Sequence, residues 1–173
     1  TDGPQLVKDA AVRAIQEGRG NQYPPAHGLP ELRTAIAEHQ RRFYGIELDP
    51  VSDVVVTTGA SEAIAAALLA LVDDGDEVVM FAPWFDLYAA AVSLAGGTRV
   101  EVPLTAGDFR PDAEALRAAI TPRTRLLLLN SPHNPTGSVF TRAELAAIAA
   151  VVEEHDLWVI SDEAYEHLVY AGA

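Results

Sequence analysis

Four consecutive leucines, Leu126 to Leu129, run directly into Asn130-Ser131-Pro132-His133-Asn134-Pro135-Thr136-Gly137, and this change of character constrains the fold more than any other stretch. Leucines without polar alternation suit a strand covered on both faces, as in a parallel sheet packed between helices. The prolines, amides and glycine that follow are residues that stop a strand and stiffen a loop. At the end of a central strand of an α/β sheet, such a loop lies where ligands bind. Read alone, it is equally an ordinary strand-to-helix connection.

The remaining pattern supplies the alternation that a parallel sheet needs. Residues 4–17 and 30–44 have helical apolar spacing, with Leu32, Ile36 and Phe43 on one side of the second segment and Arg33, Glu38, Arg41 and Arg42 around the other. Gly18 and Gly45 end the two helices. Between them, 18–28 is a polar, proline-rich connector and a candidate boundary. From Val54 onward strands are predicted at 54–57, 77–81, 99–102, 125–129 and 157–160, with helices at 61–72, 86–95, 112–120 and 141–154. The helix at 61–72 is nearly all apolar and is therefore expected to be buried. Thr141 and Glu144 have the spacing of a capping box. Five short strands separated by helices imply right-handed crossovers and a three-layer α/β/α fold around a mostly parallel central sheet.

Composition removes several classes of function. Twenty-five acidic against twelve basic residues give a net charge of −13, which disfavours nucleic acid and anionic membrane surfaces as partners. A phosphate-bearing ligand would need a local site built from backbone N–H groups or a few placed cations. With no cysteine there are no disulfides, thiolate metal sites or cysteine nucleophiles, and the chain is compatible with the cytoplasm. His133, His155 and His167 have no metal-ligand spacing, so no metal is expected. No signal peptide or membrane span is visible in the 173 residues. The absent initiator methionine and the stop soon after a strand pattern suggest a fragment of something longer.

Three predicted strand ends carry residues suited to chemistry. Thr57-Thr58-Gly59-Ala60-Ser61-Glu62-Ala63 leads a strand through a glycine into a helix, presenting N–H groups and a positive dipole end, a setting for phosphate. Neither a Walker loop nor G-x-G-x-x-G is present. The stretch is one glycine short of a G-x-S-x-G nucleophile elbow, which leaves Ser61 open as a serine hydrolase nucleophile, or as a plain helix cap. Ala82-Pro83-Trp84-Phe85-Asp86-Leu87-Tyr88 places aromatic rings after a strand, either as core or as a platform for a planar ligand. Ile160-Ser161-Asp162-Glu163-Ala164-Tyr165-Glu166-His167 places a carboxylate at the end of a buried strand, where it needs a partner such as a protonated ring nitrogen, or serves as a helix N-cap.

A phosphate cradle, a stacking ring, an amide-rich loop and an aspartate at the ends of one sheet describe a receptor for a phosphorylated, aromatic, basic heterocycle, a description that pyridoxal phosphate (PLP) meets. The chain resembles the class I/II aminotransferases of PLP fold type I, especially the kynurenine aminotransferase and N-succinyldiaminopimelate aminotransferase-like branch. Asn21-Gln22-Tyr23, Gly59-Ala60-Ser61, Pro83 to Tyr88, Asn130 to Gly137 and Ser161 to Glu166 carry the resemblance, in the family's order and over essentially the whole chain. It implies that Gly59, Ala60 and Ser61 hold the phosphate and that Phe85 stacks on the pyridine ring. Asn134 and Tyr165 would hydrogen-bond the phenolic oxygen, with Asn134 also near the substrate carboxylate. Asp162 would pair with the ring N–H. Tyr23 would reach the neighbouring subunit's phosphate, which implies a homodimer. The bonds before Pro132 and Pro135 are often cis in the family. The resemblance further puts residues 1–20 in an N-terminal arm or small domain and 21–173 in the incomplete first part of the large PLP-binding domain.

The resemblance implies an aminotransferase that moves an amino group from an α-amino acid to a 2-oxo acid by a ping-pong mechanism. A C–S β-lyase on the same scaffold and a relative used only for binding remain open beside it. The family's Schiff-base lysine and its carboxylate-binding arginine match nothing here: the sole lysine, Lys8, sits in the first helix. Residues 1–173 alone are therefore expected to bind PLP weakly and not to transaminate.

Overall fold

The computed structural model describes residues 2–170 and divides into two compact units, Thr1–Thr57 and Thr58–Ala173. The first unit holds α1 (Gln5–Gln16) and α2 (Pro30–Tyr44). No residue of α1 is buried, and its apolar stripe, with Leu6 and Ile15 nearly 80% exposed, faces outward. Gly45 closes α2 in the left-handed conformation, as expected. The buried side of α2 is not the predicted one: Arg33 and Ala37 are buried, whereas Leu32 and Phe43 are exposed. Arg33 turns inward because its guanidinium donates to the Val51 carbonyl at 2.5 Å and so ties down the loop after the helix.

The second unit contains α3 (Gly59–Leu71), β1 (Glu77–Ala82), α4 (Asp86–Leu94), β2 (Thr98–Pro103), α5 (Ala113–Ala119), β3 (Thr124–Asn130), α6 (Arg142–Glu154) and β4 (Trp158–Asp162). The four strands form one parallel sheet in the order β2-β1-β3-β4. Alternate residues serve opposite faces. Val78, Met80, Leu126 and Leu128 pack with Ile64, Leu68, Tyr88 and Val92 of α3 and α4. Val79, Phe81 and Leu127 pack with Leu116, Ile148 and Val151 of α5 and α6. Leu126, Leu127 and Leu128 are essentially inaccessible to water, so truncating any of them to alanine is expected to cost about 2–5 kcal/mol. The leucine run is thus the doubly covered strand that its lack of alternation predicts.

Three expectations need correction. Residues 54–57 form no strand: Val56 N–H donates to the His27 carbonyl, and no strand partner flanks the segment among the described residues. Among the described residues four strands replace the predicted five. Helix α3 buries only Ile64 and Leu68, and Leu69 is 56% exposed, so its apolar sequence does not make it a core helix. Last, β4 pairs with β3 alone among the described strands, so most of its residues are accessible and Asp162 is half-buried rather than buried. The capping box is present as predicted: Thr141 Oγ1 accepts from Glu144 N–H, and the Glu144 carboxylate accepts from Thr141 N–H at 2.7 Å. Among the described residues no helix is long and apolar enough to cross a membrane.

Candidate active site

The residues singled out in the second unit cluster at the C-terminal ends of the parallel strands and at the start of α3. Gly59 opens α3 with φ of 76°, a left-handed conformation that disfavours any side chain with a Cβ. Thr58 precedes the helix without a side-chain cap, and Ser61 lies within the first turn, so Ser61 is not the capping residue. Glu62 reaches back to accept from the Thr58 N–H, which holds its carboxyl below the usual range. First-turn N–H groups have no partner within their own helix, so Ala60 and Ser61 offer exposed donors at the positive end of the α3 dipole. No histidine is hydrogen-bonded to Ser61 among the described residues, and nothing in the site activates it as a nucleophile.

The end of β1 leads through a cis Ala82-Pro83 bond to Phe85, which is 39% exposed. One helical turn on, Tyr88 is buried at 2% exposure, and its ring meets the Phe85 ring edge-on at a centroid distance of 5.8 Å. The Tyr88 hydroxyl donates to Asp162 Oδ2 at 2.6 Å. Burial, then this bond, pushes the Tyr88 phenol far above its ordinary range, so it remains a donor at working pH. Asp162 Oδ1 accepts from Ala164 N–H at 3.0 Å. Turns rather than a helix follow Asp162, so it is not an N-cap.

The end of β3 is braced from within. Asn130 is buried; its amide donates to the Pro132 and Asp162 carbonyls at 3.1 and 2.9 Å, and its Oδ1 accepts from Asn134 N–H at 2.7 Å. One side chain therefore ties β3 to β4 and shapes the loop that carries Asn134. The bonds before Pro132 and Pro135 are both cis. His133 is buried, stacks on Phe140 and contacts Thr136 Oγ1 through Nδ1 at 2.8 Å. Burial holds the imidazole pKa down, against a smaller opposing contribution from the Pro83 carbonyl, so the ring is neutral and joins the β1 and β3 loops.

Asn134 and Tyr165 line one cavity of about 700 Å³ together with His133, Arg110 and Leu168. Arg110 is not free to bind a ligand there. Its guanidinium pairs with the Glu144 carboxylate and donates to Ser138 Oγ and the Val139 carbonyl, which pulls the Glu144 carboxyl down to about 2. A smaller cavity of about 270 Å³ brings Ala60 of α3 and Asp162 of β4 to the same walls. The structure thus joins Ala60 with Asp162, and Asn134 with Tyr165. Phe85 is linked to Asp162 through Tyr88, and Tyr23 lies fully exposed in the first unit. Sequence reasoning missed Asn130, Tyr88 and the bracing role of His133. For Tyr88, the available signal is a hydroxyl one helical turn after Phe85.

The model of the aminotransferases of class I and II matches residues 2–173. A probable N-succinyldiaminopimelate aminotransferase of Mycobacterium tuberculosis is 53% identical over 99% of this chain and 44% of its own length. A probable aspartate/prephenate aminotransferase of Thermus aquaticus is 47% identical over 99% of this chain and 45% of its own. The solved structure of the N-succinyldiaminopimelate aminotransferase from M. tuberculosis superposes with a TM-score of 0.97 at 52% identity, covering all of this chain and 45% of that one. Thermus thermophilus aspartate aminotransferase with maleate superposes at 0.94, with 44% identity over 99% of this chain and 45% of that one. The chain spans under half the length of these relatives, and its parallel sheet is that of PLP fold type I. By sequence and by structure alike, the chain belongs to the aminotransferases of class I and II.

Proposed function

We propose that the protein to which these residues belong is a PLP-dependent aminotransferase that moves an amino group from an α-amino acid to a 2-oxo acid by a ping-pong mechanism. Family members use pyridoxal phosphate. One observation supports the reading: Ala60 at the start of α3 and Asp162 at the end of β4 line the same cavity, so that a helix N-terminus and an acceptor suited to a phosphorylated, basic heterocycle are neighbours.

The donor set fits that cofactor. Gly59, Ala60 and Ser61 would hold its phosphate through the backbone. Phe85, accessible at the end of β1, would stack on its ring. Asn134 and Tyr165, which share a cavity wall, would hydrogen-bond the phenolic oxygen, and Asn134 would also approach the substrate carboxylate. Asp162 would keep a proton on the ring nitrogen, since an adjacent carboxylate favours the cationic form. When bound, the cofactor supplies an electron sink for the substrate's α-carbon. Tyr23 would reach the phosphate of a second subunit in a homodimer. We assign residues 1–20 to an N-terminal arm or small domain and 21–173 to the first part of the large domain.

Relatives named for N-succinyldiaminopimelate, aspartate/prephenate and methionine support amino acids and 2-oxo acids as the substrate class. Lys8, the only lysine, is paired with Asp2 at 2.7 Å in the first unit. Residues 1–173 by themselves are therefore proposed not to transaminate. The test uses the full-length protein reconstituted with PLP. An amino acid should shift the bound cofactor's absorbance, and a 2-oxo acid should restore it. Failure to take up PLP, or release of ammonium in place of amino transfer, rejects the reading.

A further inference from the structure

Tyr88 touches both halves of the proposed ring site yet has no role in the reading above. Tyr88 is buried at 2% exposure, whereas Asp162, whose carboxylate it bonds, is partly accessible and lines a cavity. Its ring edge meets Phe85, and its hydroxyl donates to Asp162 Oδ2 at 2.6 Å across 74 positions of sequence. The second donor to the carboxylate, Ala164 N–H, binds the other oxygen, Oδ1. Two donors from different segments, one on each oxygen, fix the plane of a carboxylate. An ionised carboxyl has about four acceptor sites, so lone pairs remain for an incoming N–H.

We propose that Tyr88 is the positioning residue that holds the Asp162 carboxylate in a single orientation toward the N–H of a bound pyridinium ring. The inference rests on the PLP reading. Tyr88 stays protonated because burial and Asp162 both oppose loss of its proton, so its hydroxyl remains a donor to the carboxylate. Through its contact with Phe85, Tyr88 also sets the stacking face relative to the carboxylate.

The test substitutes Tyr88→Phe, which removes one oxygen and keeps the ring, in the full-length protein. Two readouts are the dissociation constant for PLP and the ring-nitrogen signal of ¹⁵N-labelled bound PLP. We expect affinity to fall about ten-fold or more, the scale of one hydrogen bond to a charged group, and the ¹⁵N signal to move toward the unprotonated position. In an Asp162→Asn background the same substitution should change affinity by less than about two-fold, because residues acting through one another are not additive. An unmoved ¹⁵N signal, or losses that add in the double variant, overturns the role of Tyr88. A wild-type protein that takes up no PLP overturns the cofactor reading instead, so the two failures are distinguishable.

Discussion

The two ends of the sheet each hold a carboxylate, and they treat it in opposite ways. At the N-terminal end of β1, Glu77 is 4% exposed and accepts from Thr121 Oγ1 at 2.5 Å, from Thr124 Oγ1 at 3.3 Å and from the Arg123 guanidinium. The Thr121 hydroxyl above all, then Arg123, holds this carboxyl below its usual range in spite of burial. At the C-terminal end of β4, Asp162 receives one hydroxyl and one N–H and opens onto a cavity. A carboxylate whose acceptor sites are filled by its own protein stabilises the fold. One with sites left over, on a sheet edge lined with N–H donors, is available to a ligand.

Substitutions can break this contrast. The largest effect is expected from Asp162→Asn in the full-length enzyme: turnover should drop about 100-fold or more, the scale of losing one preorganised electrostatic partner. The melting temperature should stay close to wild type, and a stopped assay with thermal melting beside it checks both. Next is Asn130→Ala, which orphans the Asn134 N–H and two carbonyls in a buried bracket; about 2–3 kcal/mol of stability should be lost in urea unfolding. Glu77→Ala should cost about 1–3 kcal/mol by the same measure. PLP affinity should be unmoved there, and a matching loss of affinity would erase the distinction between the two ends.

The narrowest effect lies in acid. Glu144 has a folded-state pKa of about 2, below its ordinary 4.5. Its ionised form therefore contributes stability above about pH 4.5 that disappears as pH falls toward 2. Glu144→Gln should flatten that part of an unfolding-against-pH curve and leave the curve's shape above pH 6 unchanged.

Local pattern predicted most elements because period and punctuation are local properties. The strand ends, predicted at 81, 129 and 160 and found at Ala82, Asn130 and Asp162, and the cap at Thr141 were legible in this way. Whether an extended segment finds a partner is not local, and residues 54–57 have strand composition without strand pairing. The same limit misjudged Asp162: burial of a strand depends on neighbours to either side, and β4 has β3 alone among the described strands. Arg33 went astray because a charged head can be buried when a carbonyl receives it. The Tyr88 to Asp162 bond spans 74 positions and leaves no trace in spacing. The roles given to Gly59, Ala60, Ser61, Phe85, Asn134, Asp162, Tyr165 and Tyr23 came from family resemblance, which encodes such distant meetings where composition does not.

The parallel strand order has a kinetic consequence. No two strands of this sheet can form as a hairpin, since each parallel pair requires a crossover. Asn130 must meet Asp162 from 32 positions away, and Tyr88 must meet it from 74. Such distant pairings incur loop-closure entropy before they gain any contact, which slows folding relative to local topologies. The central strand β3 is the hinge of this process, because β1 and β4 both dock on it. The Tyr88 bond to Asp162 can therefore close only after β1 and β4 have both docked on β3, whereas the bracket at Asn130 needs β4 alone.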